Sequence, residues 1–134
     1  WGQIGDRALK VIWSNDETIS SQYVTPIHHK GYFYGYHGRA DTGGGSLRCI
    51  DPETGKRQWQ APENDYGTVL VADEKVLVMT TEGTLRLVAA DSATYRKLGE
   101  TALLNGTVRA LPALSNGRFL ARDEKTLICV KLGR

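Results

Sequence analysis

Cysteine is scarce in this chain: Cys49 and Cys129 are the only two among 134 residues. They form neither a C-x-x-C pair nor a zinc-ligand spacing, which removes sites built on thiolates and leaves the redox compartment open. Histidine is nearly as rare. His28 and His29 are adjacent, so on a strand they point to opposite faces and cannot share a metal; His37 has no Cys or acidic partner nearby in sequence. These three read as surface histidines, and no metal site is expected. No apolar run approaches the ~18 residues that span a bilayer. No signal peptide is evident, and the start at Trp1 rather than Met points to a processed or trimmed N-terminus. Charge of one sign is not concentrated anywhere. Seventeen basic and fifteen acidic residues are scattered to a net +2, without the footprint of a nucleic-acid or anionic-membrane binder. The common nucleophile-elbow, zinc-protease and P-loop motifs are absent, so those chemistries have no anchor.

What is present is an ordinary globular composition, 40% hydrophobic and 24% charged, arranged as a repeat. "LRCID", "LVAAD" and "LICVK" begin at Leu47, Leu87 and Leu127, forty positions apart, with Cys49, Ala89 and Cys129 in register. Each is preceded by an apolar run behind a tight turn ("GYFYGY", "VLVMT", "RFLA") and, before that, by another ("YVTPI", "TVLVA", "RALPAL"). "KRQWQ" and "RKLGE" add a fourth run to the first two units. Short runs rich in Val, Leu, Tyr and Thr between Gly, Asn and Asp turns are strands. Several are apolar on both faces, so both faces should be covered. Four antiparallel strands every 40–45 residues describe a β-propeller blade. A helix over 89–104, "AADSATYRKLGETALL", is the competing reading; its place in the repeat calls for a strand.

The expected fold is therefore all-β, with about three four-stranded antiparallel blades. Residues 1–134 form one propeller segment with repeats at about 24–60, 66–101 and 107–134. The third unit lacks a fourth strand, and "KVIW" (10–13) looks like a fourth strand without its first three. Three blades are too few for a ring, and an open arc exposes edges and an apolar face. The segment is then either part of a longer propeller, or a protomer that pairs head to tail into six blades.

At "CIDPETGKRQW" the sequence resembles the quinoprotein-type, or PQQ-like, propeller repeat, whose signature is roughly A-x-D-x-x-T-G-x-x-x-W. Cys49 holds the alanine position, and Asp51, Thr54, Gly55 and Trp59 match. The second unit keeps Asp91 and Thr94 but has Tyr95 for the glycine. The whole chain looks like the last blades of bacterial PQQ-like repeat proteins, a group that includes the barrel-assembly lipoprotein. The resemblance implies a periplasmic, secreted or cell-surface location and does not imply enzyme activity. Quinone-dependent dehydrogenases share the repeat but add pyrroloquinoline quinone (PQQ), Ca²⁺ and an adjacent Cys-Cys disulfide. This chain has no such pair, and Cys49 and Cys129 stand two blades apart, too far to bridge. Nor does any loop gather the six or more oxygens Ca²⁺ needs, so no cofactor is expected.

Two functions are carried forward. One is a non-catalytic scaffold whose loops recognise a protein, peptide or glycan; remaining blades or a second copy would be its structural partners. The other is a fragment of a PQQ-dependent dehydrogenase whose cofactor and catalytic residues lie on other blades. No catalytic residue is assigned. Strand order puts the longer loops (14–23, 37–46, 61–68, 99–107) at one end of the blades, where function usually resides. His37, Arg39, Asp41 and Tyr66 are the expected contacts. "YFYGY" alternates its aromatics between faces and reads as core. In "GRADTGGGS", Asp41-Thr42-Gly43 imitates an aspartic-protease triplet and the glycines a phosphate loop. No apolar strand enters the triplet, however, and the glycines open a strand rather than a helix. The stretch reads as a hairpin turn enlarged by four to six residues.

Overall fold

The computed structural model describes residues 2–133 and, at Ile4, the backbone alone. All regular structure in them is β. A small hairpin, β1 (Gly2–Ile4) with β2 (Arg7–Leu9), precedes three antiparallel sheets. Blade I runs β3 (Ile27–His29), β4 (Tyr32–Arg39), β5 (Gly44–Ile50), β6 (Arg57–Gln60). Blade II runs β7 (Gly67–Ala72), β8 (Lys75–Thr80), β9 (Thr84–Ala89), β10 (Lys97–Ala102). Blade III has three described strands, β11 (Ala113–Ser115), β12 (Arg118–Arg122) and β13 (Leu127–Lys131). In every blade the strands lie side by side in chain order. Among the described residues no helix is long and apolar enough to cross a membrane.

The two-sided apolar character of blade II follows from its position. Val69, Val76, Val78 and Val88 pack with Tyr34, Tyr36, Leu47, Cys49 and Trp59 of blade I. The alternate residues Leu77, Met79 and Leu85 pack with Phe119 and Ala121 of blade III and with Leu104 and Val108 of the connection between them. Period-two alternation thus sends successive side chains into two different cores. The 40-residue repeat holds the Cys49 and Leu47 positions in register throughout, since Tyr34 pairs with Cys49 and Leu120 with Cys129.

Residues 97–102 form the outer strand of blade II, as the repeat requires, with a bulge between Lys97 and Gly99, and no helix forms over 89–104. Three other expectations change in detail. The innermost strands of blades I and III are only three residues long. Pro26 and Pro112 stand immediately before them and have no N–H to give a ladder. Lys10–Trp13 form no ladder in this chain; the strand nearby is β2, and Val11 and Ile12 are exposed. Half of "RADTGGGS" belongs to the β4–β5 ladder, which continues to the Arg39↔Gly44 pair and leaves a four-residue tip at 40–43. The added residues lengthen the hairpin more than its turn.

Candidate functional site

Antiparallel order places the β4–β5, β6–β7, β8–β9, β10–β11 and β12–β13 connections at one end of the blades. At the other end, two-residue turns at 30–31, 73–74 and 116–117 are compact. Lys30, Asp73, Glu74 and Asn116 adopt positive φ there, as tight hairpins require.

The long hairpin is held by close backbone contact. Gly45 faces Gly38 across the ladder, and a Cβ at Gly45 would overlap the His37 carbonyl. On its other side Gly45 exchanges two backbone hydrogen bonds with Asp65, at 2.8 and 3.0 Å, which ties the β6–β7 connection to the hairpin. At the tip, Arg39 and Asp41 form an exposed two-bond ion pair at 2.9 and 2.8 Å. Asp41 is held below the usual carboxylate range by this pairing.

His37 is half-buried beneath the segment 14–22, and its Nδ1 accepts a hydrogen bond from the Ser20 amide at 3.0 Å. Burial, with the Arg48 and Arg57 charges, holds the imidazole below its ordinary value, so the neutral acceptor form is favoured. Arg48 secures the same segment by donating to the carbonyls of Glu17 and Thr18. Tyr66 does not belong with these surface contacts. It is 1% exposed, and its hydroxyl accepts from the amides of Gln22 and Tyr23 and pairs with Ser21 Oγ at 2.8 Å. Tyr66 anchors the segment from inside, because a buried phenol needs a polar partner. Of the four expected contact residues, the structure leaves Arg39 and Asp41 exposed, His37 half-covered and Tyr66 buried.

The repeat motif folds as its residue types dictate. Asp51 Oδ1 accepts from the Glu53 amide, Thr54 Oγ1 accepts from the Lys56 amide, and Gly55 turns with φ of 73°. Trp59 lies against Tyr34 and Tyr95, and its indole N–H donates to the Asp91 carbonyl at 2.7 Å.

A polar network at this same end is absent from the sequence reading. Arg86, on β9 and with its side chain only 7% exposed, donates to Asp65 at 2.8 Å and Glu100 at 3.0 Å, with Glu63 at 3.9 Å. Tyr36 donates to Asp65 and Tyr95 to Glu63, both at 2.9 Å, and Lys97 lies within 3.5 Å of Glu63 and Glu100. Burial works against the Arg86 charge, but the Asp65 and Glu100 carboxylates outweigh it and hold the guanidinium charged. Burial, then Asp65, pushes the Tyr36 phenol well up. One signal was legible: Arg86 interrupts the apolar run "LRLVA" at an inward-facing alternation position.

Between blades II and III this end opens a groove of about 440 Å³ lined by Thr81, Glu82, Asn105, Thr107, Arg109 and Glu124. A second groove of about 300 Å³ lies beside His37, Ser46, Gln60 and Asn64. Both are open; the first is mostly polar and the second is polar and apolar in about equal measure. Among the described residues no group of His, Cys, Asp or Glu is arranged to hold a metal ion. The acidic side chains that do converge, Glu63, Asp65 and Glu100, are taken by Arg86 and Lys97. These residues do not fit a Ca²⁺-assisted quinone.

The chain matches no protein-family model and no curated protein. Its fold is similar to solved structures. BamB from Moraxella catarrhalis, a PQQ-like β-propeller, superposes with a TM-score of 0.59 at 12% identity over 78% of this chain. The chain has the fold of β-propeller blades. The computationally designed Ika8 protein superposes with a TM-score of 0.61 at 14% identity over 85% of the chain. The chain spans about three tenths of the BamB chain (29%) and a third of the Ika8 chain (33%).

Proposed function

We propose that the chain is a non-catalytic propeller module of PQQ-like repeat type, working outside the cytoplasm. The end that carries the long β4–β5 hairpin binds an extended peptide segment of a protein partner; a glycan is the other ligand its polar grooves suit. The observation that carries this reading is the asymmetry of the two ends. One end has three two-residue turns and the β5–β6 and β9–β10 connections; the other has the long hairpin with an exposed Arg39–Asp41 pair beside two open grooves. Binding residues concentrate on loops that a rigid frame positions. The network around Arg86 and the Tyr66 anchor supply that rigidity. The extracytoplasmic location is supported by the motif resemblance in Cys49–Trp59 and by the BamB-like fold.

The test is a titration of isotope-labelled protein with extended model peptides and with neutral oligosaccharides, read from backbone amide shifts. Shifts grouped at 38–46, 62–65 and 105–109 are expected. Shifts confined to the compact end, around 30–31, 73–75 and 116–117, would refute the assignment. Adding PQQ with Ca²⁺ tests the dehydrogenase-fragment reading on the same sample: stoichiometric cofactor absorbance retained by the protein would favour that reading instead.

A further inference from the structure

Asparagine followed by glycine is especially prone to lose ammonia, because glycine has no side chain to keep its nitrogen from attacking the preceding side-chain amide. The chain holds two such pairs: Asn105-Gly106 on the β10–β11 connection and Asn116-Gly117 in the turn between β11 and β12. Both asparagines are exposed. Their glycine nitrogens are in opposite situations.

The Gly106 amide donates to Asp123 Oδ2 at 3.0 Å. Asp123 is buried and also accepts from the Lys125 and Thr126 amides at 2.8 and 2.6 Å, bonds that hold its carboxyl below the usual range and keep it charged. A Cβ at Gly106 would lie 2.8 Å from Asp123 Oδ2 and 3.0 Å from Glu124 Oε1, so two carboxylates close over this residue. Attack requires the glycine nitrogen to give up its proton, and here the negative charge left behind would face a carboxylate. Gly117 is unguarded. Among the described residues nothing accepts from its N–H; only its carbonyl is held, by the Leu132 amide at 2.6 Å. Asn116 and Gly117 take positive φ, 49° and 73°, at the tip of a hairpin whose first strand is only three residues long and follows Pro112. So short a hairpin opens locally at small cost, which lets Asn116 reach the attacking geometry without unfolding the blade.

We propose that Asn116 is a site of spontaneous covalent modification, and that Asp123 shields Asn105 from the same reaction. The Gly117 nitrogen bonds to Asn116 Cγ, the Cγ–Nδ2 bond breaks, and ammonia leaves carrying the Gly117 proton. Water, the one co-reactant, then opens the succinimide ring. Opening at Cγ restores the main chain and gives aspartate; opening at the main-chain carbonyl gives isoaspartate. Either product adds a negative charge at the compact end. Isoaspartate also puts one more carbon into the main chain of a two-residue turn, which uncouples the Ser115↔Arg118 pair. This chemistry goes beyond the peptide-binding reading and does not depend on it.

The test is incubation of the whole chain in heavy-oxygen water at mildly alkaline pH, followed by peptide mapping with mass spectrometry, in buffer and in concentrated urea. In the folded chain Asn116 should convert, and Asn105 should convert at least about tenfold more slowly, the factor that a hydrogen bond to a charged group supplies. In urea, where neither environment survives, the two rates should come together. Asp123→Ala should raise the Asn105 rate toward its value in urea and leave the Asn116 rate unchanged. Equal rates in the folded chain, an Asn116 that stays intact while the unfolded chain converts, or the same rate ratio in buffer and in urea overturns the proposal. So does a folded Asp123→Ala variant with an unchanged Asn105 rate. Should that variant lose its β circular dichroism spectrum, the comparison of buffer with urea for the natural sequence decides alone.

Discussion

The polar residues of this chain take their meaning from what surrounds them rather than from their type. His37 and Tyr66 both look like loop chemistry in the sequence, and both fasten the segment 14–23, His37 to blade I from its half-buried edge and Tyr66 to the β6–β7 connection from within. His37 makes that attachment pH-dependent. Its folded value is held below the ordinary 6.5 by burial and by Arg48 and Arg57, so the unfolded chain takes up the proton first. The contribution to stability is complete above about pH 6.5 and declines as the pH falls through the folded value. The Ser20 amide resonance should accordingly move as samples are taken from pH 7 to pH 5, in step with the His37 ring signals. His37→Gln, which keeps an acceptor but does not titrate, should abolish the movement. A Ser20 shift that persists in His37→Gln would assign the effect elsewhere.

At the level of elements, the β4–β5 hairpin is the distinguishing structure. Its counterparts in blades II and III turn soon after their core pairs, whereas this ladder continues to Arg39↔Gly44 and lifts the Arg39–Asp41 pair above the neighbouring loops. The extension depends on glycine for steric reasons. A Cβ at Gly45 would meet the His37 carbonyl across the ladder, and no flexible side chain is there to yield. Gly45→Ala should therefore break the outer end of the hairpin and its two bonds to Asp65 while sparing the Tyr34↔Cys49 pair below. Amide exchange should rise at 38–46 and 65 and stay slow at 34 and 49; uniform loss of protection would show that the hairpin supports the whole blade.

Across the whole molecule, stability rests on two cores and on the network that borders the first. Arg86 joins blade II to the β6–β7 connection through Asp65, and Asp65 in turn receives the Tyr36 hydroxyl from blade I. Replacing it with an apolar isostere leaves Asp65, only 16% exposed, without a cation, and leaves Glu63 only the Lys97 ammonium at 3.5 Å. Arg86→Met should cost about 3–5 kcal/mol in a denaturant titration, the range for breaking a buried pair by removing one partner. A loss under about 1 kcal/mol, the worth of an exposed pair, would show that solvent reaches the network. Arg86→Lys should fall between, because an ammonium keeps the charge and loses the two-pronged geometry.

The number of blades, the register of their third strands and the turn chemistry at Asp51–Gly55 were determined by the sequence itself. All three are local: alternation, tight turns and a 40-residue spacing leave few ways to pair neighbouring strands. The motif at Asp51, Thr54, Gly55 and Trp59 was legible for the same reason. Where the two faces of blade II go, which of His37, Arg39, Asp41 and Tyr66 reach the surface, and that Arg86 meets three carboxylates were decided only by tertiary structure. Those contacts join residues from 14 to 45 positions apart, from Arg86–Glu100 to Ser21–Tyr66, across strands and separate connections. No pattern in one stretch of chain encodes how two such stretches will stack. Trp13 shows both sides of this division: the sequence reads it as the end of a strand, whereas in the structure it pairs with no strand and is seated on Pro52 and Gly55 of blade I.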